Sequence, residues 1–178
     1  MRLYTAISLN HMPPLEILEF PDLRLRKVAQ PIENVDGKIA QFANRMLTTM
    51  YEAPGIGLAA SQVNIHKRLI VIDISENKDR PLVLINPEII NSEGSIETPE
   101  GCLSIPGFYE PVNRFHAIEM HAIGIDGEPY TMEASGLLAV CIQHEMDHLE
   151  GKLFVDYLSG TKRSLIRKKL LKQQKQRA

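Results

Sequence analysis

Two histidines and a glutamate in the C-terminal third of the chain have the spacing of a metal site. The run His144-Glu145-Met146-Asp147-His148 places two imidazoles four residues apart. On an α-helix, side chains four residues apart lie on the same face, so both rings can reach one ion. Glu145 is rotated by roughly 100° from His144 but can lean toward water bound to that ion and act as its base. The spacing therefore predicts metal-assisted hydrolysis.

The alternative is that His144 and His148 are ordinary helix residues. The apolar run Leu137-Leu138-Ala139-Val140 comes shortly before them and predicts a buried helix. Two imidazoles and a carboxylate are costly to bury without partners or a metal. The metal interpretation is therefore favoured.

A catalytic metal site also needs a third protein ligand and an open position. Cys141 lies on the same predicted helix, but about 10.5 Å along the axis from His148 at 1.5 Å per residue. One ion about 2 Å from each ligand cannot span that distance, so we interpret Cys141 as a packed apolar thiol. Cys102, in the segment Glu100-Gly101-Cys102-Leu103-Ser104, is the preferred third ligand. An inert buried thiol is the competing interpretation for Cys102.

Hydrophobic periodicity predicts the elements that position these residues. Helical spacing predicts a helix over 36–51, the metal-bearing helix over about 136–150 between Ser135 and Gly151, and a last helix from 159 to about 174. β-Branched runs and period-two alternation predict strands at 68–74, 82–90 and 116–125, with an Asp126-Gly127 turn into 130–133. We expect an α+β fold in which mostly antiparallel sheets wrap around the central metal-bearing helix, followed by a C-terminal helix.

Composition excludes several classes of protein. The 178 residues are 44% hydrophobic and 24% charged, which is ordinary for a globular chain and too apolar for disorder. No apolar run approaches the roughly 20 residues of a membrane span, and residues 1–14 do not resemble a signal peptide. Two cysteines make a disulfide framework improbable and favour a reducing, cytoplasmic location.

Charge is distributed unevenly along the chain. All 22 acidic residues lie at or before Asp156, whereas residues 162–177 carry eight basic residues and no acid. This segregation suggests an acidic body followed by a basic helical tail over 161–178.

Three motifs together resemble the bacterial-type peptide deformylases. They are the glycine-rich stretch Gly55-Ile56-Gly57-Leu58-Ala59-Ala60-Ser61-Gln62, the cysteine segment 100–104, and the run from Gln143 to Gly151. Their order and spacing match the family, and the similarity extends from about residue 14 to residue 160. The resemblance therefore implies a catalytic domain over 13–160 that follows an N-terminal extension over 1–12. The resemblance implies a metal-dependent hydrolase that removes the N-formyl group from the formylmethionine of nascent polypeptides.

The same resemblance implies roles for individual residues. Cys102, His144 and His148 are expected to bind the metal, Glu145 to be the general acid and base, and Gln62 with the backbone N–H of Leu103 to stabilise the oxyanion. The implied ion is Fe²⁺, with Zn²⁺, Ni²⁺ or Co²⁺ as substitutes. The expected walls of the methionine pocket are Ile56, Gly57, Leu137, Val140 and Cys141. Ordinary core packing is the alternative for these pocket residues, and a surface amide is the alternative for Gln62.

Glu100 and Arg114 are a candidate supporting pair for the metal site. The alternative is an exposed ion pair that contributes little.

The basic tail has three interpretations, of which binding to a membrane surface is the least favoured. The spacing predicts that Leu165, Ile166 and Leu170 lie on one apolar face of a helix with cations around the rest. A solvated terminal helix is the simpler interpretation, whereas the resemblance implies contact between residues 162–177 and ribosomal RNA. Phosphate binding of that kind should weaken steeply with salt.

Two other functions compete with the deformylase. An HExxH zinc peptidase would take its third ligand from downstream, where Glu150 and Asp156 are the candidates. An RNA-binding protein with a structural metal site would need a fourth protein ligand.

Overall fold

The computed structural model describes residues 13–177, so the N-terminal extension predicted over 1–12 lies outside the described residues. Three α-helices form, and they span Gly37–Glu52 (α1), Gly136–Leu149 (α2) and Gly160–Arg177 (α3). Short 3₁₀ helices cover Leu23–Arg26, Ala60–Val63 and Phe154–Tyr157. All three predicted helices are confirmed, with ends that differ by at most a few residues.

Seven strands form two antiparallel sheets. In chain order the strands are Gly57–Ala59 (β1), Leu69–Ile72 (β2), Leu82–Glu93 (β3), Ile96–Cys102 (β4), Ile105–Arg114 (β5), Ala117–Ile123 (β6) and Pro129–Ser135 (β7). Five of them form a sheet in the order β1-β2-β3-β6-β7, and β4 pairs with β5 in a separate two-stranded sheet. The predicted α+β class is confirmed. The strands β1, β4 and β5 were not predicted.

The larger sheet is buried on both faces around β2. Ile70 and Ile72 belong to an apolar cluster that includes residues of α2, whereas Leu69 and Val71 belong to a cluster that includes residues of α1. Because successive side chains of a strand point to opposite faces, α2 packs on one face of the sheet and α1 on the other. The central position of α2 follows from this arrangement.

Both ends of α2 are set by glycine. Gly136 has a φ of +58° at the first helical position, and Gly151 has a φ of +69° just beyond the last. A Cβ atom on Gly151 would overlap the carbonyl oxygen of Arg26, so the chain must turn there without a side chain. Ser135 occupies the predicted N-cap position, although its side chain makes no capping hydrogen bond.

Helix α3 packs against the body through fewer residues than predicted. Ile166 and Leu170 are buried in a third apolar cluster that includes Phe20 and Phe154, but Leu165 is 53% exposed. The assignment of Leu165 to the same face was wrong, because five residues of helix rotate it roughly 140° away from Leu170. None of the helices in residues 13–177 has the length and apolar character that crossing a bilayer requires.

Candidate active site

The predicted ligands Cys102, His144 and His148 meet where the end of β4 approaches the buried face of α2. Their ligand atoms all lie within 4.8 Å of one another. Cys102 Sγ is 3.2 Å from His148 Nε2, and the two imidazole rings have centroids 5.1 Å apart. No other His, Cys, Asp or Glu of the described residues joins this group.

A hydrogen-bonded turn holds Cys102 in place. Leu103 and Ser104 form the two-residue connection between β4 and β5, and Phe20 N donates to the Ser104 carbonyl oxygen at 2.8 Å. Gln62 Nε2 lies 3.1 Å from Ser104 Oγ and 3.5 Å from Cys102 Sγ. Gln62 Oε1 accepts from Ala59 N, and the side chain is 1% exposed, so the surface-amide interpretation of Gln62 was wrong.

Glu100 connects His144 to Arg114 inside the protein. One carboxylate oxygen, Oε2, is 2.8 Å from His144 Nδ1 and accepts from Arg114 Nη2 at 3.0 Å, while Oε1 accepts from Arg114 Nε at 2.7 Å. Both Glu100 and Arg114 are buried, so their pairing is confirmed and the alternative of an exposed ion pair was wrong. Burial alone would raise the pKa of Glu100, but the hydrogen bonds from His144 and Arg114 outweigh it and lower the pKa to about 2.

This arrangement fixes the tautomer of His144. An ionised Glu100 can only accept hydrogen bonds, so Nδ1 of His144 carries a proton, and the lone pair of the neutral ring would be on Nε2. Burial would lower the pKa of His144, but hydrogen bonds to Cys102 and Glu100 outweigh it and raise the pKa well above the ordinary value. The surroundings of His144 therefore stabilise positive charge, which a proton or a metal cation can supply. Burial lowers the pKa of His148, and the neighbouring positive charges lower it further.

Glu145 is buried beside the ligand group with one oxygen free. Its Oε2 atom has no hydrogen-bond partner within residues 13–177, and burial raises the pKa of its carboxyl group to about 7. A Cβ atom on Gly57 would overlap Glu145 Oε1 and would lie 2.9 Å from Cys141 Sγ. Gly57 therefore gives the Glu145 carboxyl the space that it occupies.

Cys141 stays apart from the ligands, as predicted. Its Sγ lies 3.8 Å from the carbonyl oxygen of Ile56, and burial raises the pKa of the thiol well above its ordinary value. A neutral thiol is a poor metal ligand.

An open cavity of about 660 Å³ leads to Glu145. All five residues predicted to form the methionine pocket line it: Val140 and Cys141 are buried in its wall, and Ile56 and Leu137 are exposed at its rim beside Gly57. Core packing is therefore wrong for the two rim residues. Leu103, Cys102 and His144 also line the cavity, whereas Gln62 and His148 are not part of its lining.

Several residues around the site were not identified from the sequence. Ser104 touches Gln62, Asp147 and Tyr157 touch Arg114, and the unpredicted β4–β5 hairpin supplies one wall of the cavity, including Phe108 and Tyr109. Each of these contacts joins residues that are distant in the chain. Asp147 itself lies between the two histidines of the predicted motif, but the sequence assigned it no role.

The donor set suits a divalent transition metal. One sulfur and two imidazole nitrogens are ligands that zinc and iron accept, and a carboxylate behind a histidine is the usual support of a metal-bound ring. Three protein ligands leave a position for water or substrate, as catalytic sites do.

Such a site, with a general base beside it, belongs to the metal-dependent hydrolases. A family profile described as polypeptide deformylase matches residues 14–164, and the chain belongs to that family. A peptide deformylase of Teredinibacter turnerae is 60% identical over 168 residues, which cover 94% of this chain and 100% of the relative.

Solved structures agree with the family assignment. The crystal structure of a peptide deformylase from Legionella pneumophila superposes with a TM-score of 0.88 at 46% identity, covering 92% of this chain and 97% of that one. A peptide deformylase of Ehrlichia chaffeensis in complex with actinonin gives a TM-score of 0.88 at 36% identity, covering 91% and 98% of the two chains.

Proposed function

We propose that this protein removes the formyl group from the N-terminal formylmethionine of nascent polypeptides and releases formate. The observation that carries the proposal is the group of Cys102, His144 and His148, of which Cys102 and His144 line the apolar cavity together with Glu145. Membership of the polypeptide deformylase family supports it independently.

In this proposal the three ligands hold the metal and Glu145 moves the protons. When held by these ligands, a divalent ion would supply Lewis acid chemistry to a water molecule and to the formyl oxygen. Glu145, with its free Oε2 atom, accepts the proton of the attacking water and returns it to the departing amine.

Gln62 and the backbone N–H of Leu103 are the proposed donors to the oxyanion. Gln62 is held by Ala59 N and Ser104 Oγ, so its amide cannot rotate freely. A preorganised donor of this kind is typically worth about 3 kcal/mol in the transition state.

The methionine side chain is proposed to occupy the apolar part of the cavity. Gly57, Val140 and Cys141 form its inner wall, and the exposed side chains of Ile56 and Leu137 flank its entrance. An unbranched thioether suits such an apolar cavity.

The activity is tested by incubating the protein with formyl-Met-Ala and with unformylated Met-Ala-Ser. Formate released from the first alone supports the deformylase. Cleavage of an internal peptide bond would instead identify a peptidase, and no reaction with either peptide would contradict both enzymes. The peptidase would need a third metal ligand from beyond His148. The two candidates already form salt bridges, Glu150 with Arg68 and Asp156 with Arg26, which disfavours the peptidase.

We propose Fe²⁺ as the ion in the cell, with Zn²⁺, Ni²⁺ or Co²⁺ able to replace it. The affinities of the ligands do not select iron, because zinc binds more tightly to most such sites. The expected result is loss of activity in air that prior loading with nickel prevents. Activity that is stable in air and depends on zinc would contradict the assignment.

We also propose that residues 13–160 form the catalytic unit and that residues 161–178 carry the protein to ribosomal RNA in the cytoplasm. Several tail cations pair with the body: Lys162 with Glu110, and Arg177 with Glu19. Four others are exposed and form no salt bridge within residues 13–177, namely Arg167, Lys168, Lys172 and Lys175. These four are available to phosphates.

Substitution tests this contact better than truncation, because Ile166 and Leu170 are part of the core. Changing the four exposed cations together to Gln should abolish cosedimentation with ribosomes at low salt and leave deformylation of a short peptide unchanged. The matched control, Lys162→Gln, removes a paired cation and should cosediment like the parent. Unchanged cosedimentation of the fourfold variant would contradict the contact.

A further inference from the structure

The guanidinium of Arg114 contacts several residues that have no role in the proposed reaction. Besides its two bonds to Glu100, its Nη1 atom donates to Asp147 Oδ2 at 2.6 Å. The ring of Tyr157 covers the guanidinium, with its centroid 4.8 Å from Cζ. The hydroxyl of Tyr157 donates to the same Asp147 oxygen at 2.8 Å.

These contacts form a chain that ends at a proposed metal ligand. Tyr157 and Asp147 fix Arg114, Arg114 fixes both oxygens of Glu100, and Glu100 fixes the Nδ1 side of the His144 ring. Because Glu100 Oε2 accepts from both Arg114 and His144, a rotation of the guanidinium would move the oxygen that orients the imidazole. Each link is short and charge-assisted, so the geometry at one end constrains the other.

Tyr157 also limits the access of water to this chain. A surface cavity of about 290 Å³ reaches Arg114 between Tyr157, Phe115 and Gln143. Although Tyr157 is 52% exposed, Arg114 beneath it is only 7% exposed. Removing the ring would open the guanidinium to solvent and weaken its pairing with Glu100 by raising the local dielectric constant.

We propose that Tyr157 and Asp147 are positioning residues for the metal centre, acting on His144 through Arg114 and Glu100. The inference rests on the proposed metal site. It assigns a role to the 3₁₀ helix Phe154–Tyr157, which follows α2 and brings Tyr157 back against it. A purely structural role, tying that turn to α2, predicts a loss of stability without an effect on the metal.

Cobalt binding distinguishes the two roles. The dissociation constant of Co²⁺ is measured by competition with a chelator, and the geometry of the site is followed by the visible absorption of the cobalt protein. Asp147→Asn and Tyr157→Leu should weaken binding roughly 10- to 100-fold and shift the absorption bands. Tyr157→Phe keeps the ring over Arg114 and should lose less than Tyr157→Leu.

Tyr51→Phe is the matched control. The Tyr51 hydroxyl also bonds a carboxylate, Asp73 Oδ2 at 2.7 Å, and Tyr51 packs against the cluster on the α1 side. This variant should bind cobalt like the parent. All variants are compared well below their unfolding temperatures, with circular dichroism confirming that each is folded.

The outcomes separate this inference from the metal site itself. Parent-like cobalt affinity and absorption in Tyr157→Leu and Asp147→Asn would overturn the positioning role while leaving the metal site in place. An equal loss in Tyr51→Phe would overturn it as well, since the effect would then follow general destabilisation. A parent protein that binds no cobalt would overturn the metal site and this inference with it.

Discussion

Helices α2 and α3 place polar residues in opposite environments. In α2, nine of fourteen residues are buried, and they include Gln143, His144, Glu145 and His148. In α3, only Ile166 and Leu170 of eighteen residues are buried, and the cations face solvent. Polar groups in α2 must be satisfied by particular neighbours, whereas those in α3 are satisfied by water. Substitutions should therefore have their largest effects in α2 and its contacts and their smallest in α3.

The largest effect is expected from Glu145→Gln. The amide cannot accept and return a proton, so kcat/KM for formyl-Met-Ala should fall about 10³-fold, within the range for loss of a general base. Metal content should remain that of the parent, because Glu145 is not among the three grouped ligands. The assays are formate release and elemental analysis of the metal.

Glu150→Gln is the control, because it removes a different carboxylate at the same end of α2. Glu150 is the C-cap residue of α2 and pairs with Arg68 at the surface. Its substitution should leave turnover near that of the parent. Near-normal turnover of Glu145→Gln would remove Glu145 from the proposed chemistry.

The next largest effect is expected from Gly57→Ala. The new methyl group would overlap Glu145 Oε1, so the carboxyl must move away from its position. A displacement of about 1 Å at a catalytic group can cost roughly 100-fold in rate, and kcat should fall accordingly. Gly37→Ala is the control, because a Cβ atom there meets nothing within 4 Å. Parent-like kcat in Gly57→Ala would show that Glu145 tolerates displacement.

Helix α2 also shows what a local sequence pattern can predict, whereas the close approach of Gly57 to Glu145 joins distant parts of the chain. The metal-bearing helix was predictable because its apolar run, its histidine spacing and its terminal Gly151 lie within one short segment. Strand β6 was predictable for the same reason, since Ile118, Met120 and Ala122 alternate with more exposed residues and are buried. Local periodicity is sufficient for elements of this kind.

The β4–β5 hairpin was not predictable from such patterns. Pro99, Gly101, Pro106 and Gly107 interrupt both strands, and these residue types normally argue against a strand. The position of Cys102 beside the two histidines was nevertheless predicted, from the need for a third ligand and from the family motif. The bonds of Arg114 to Asp147 and Tyr157 depend on tertiary packing that no local pattern encodes.

A core substitution in α3 should reduce stability without affecting chemistry. Ile166→Ala should lower the free energy of unfolding by about 2 kcal/mol, because it leaves a cavity in the third apolar cluster. Leu165→Ala, one residue away on an exposed face, should change it by less than about 0.5 kcal/mol. Urea unfolding of both variants checks the difference, and equal losses would contradict the packing of α3.

The smallest effect is expected at the end of α3, where Arg177 pairs with Glu19. The hydrogen bond from Arg177 outweighs burial and lowers the pKa of Glu19 below its ordinary value of 4.5. A carboxyl whose pKa is lowered by folding contributes stability above its unfolded pKa, and that contribution is lost as the pH falls through the folded value.

Glu19→Gln should therefore cost less than about 1 kcal/mol at pH 7, as for other exposed pairs, and the difference from the parent should shrink in acid. Glu33→Gln, which removes an exposed carboxylate that forms no salt bridge within residues 13–177, should cost nothing measurable. Thermal unfolding of the three proteins at pH 7 and in acid provides the test. A loss in Glu19→Gln that is the same at both pH values would mean that the charge of Glu19 does not hold α3 to the body.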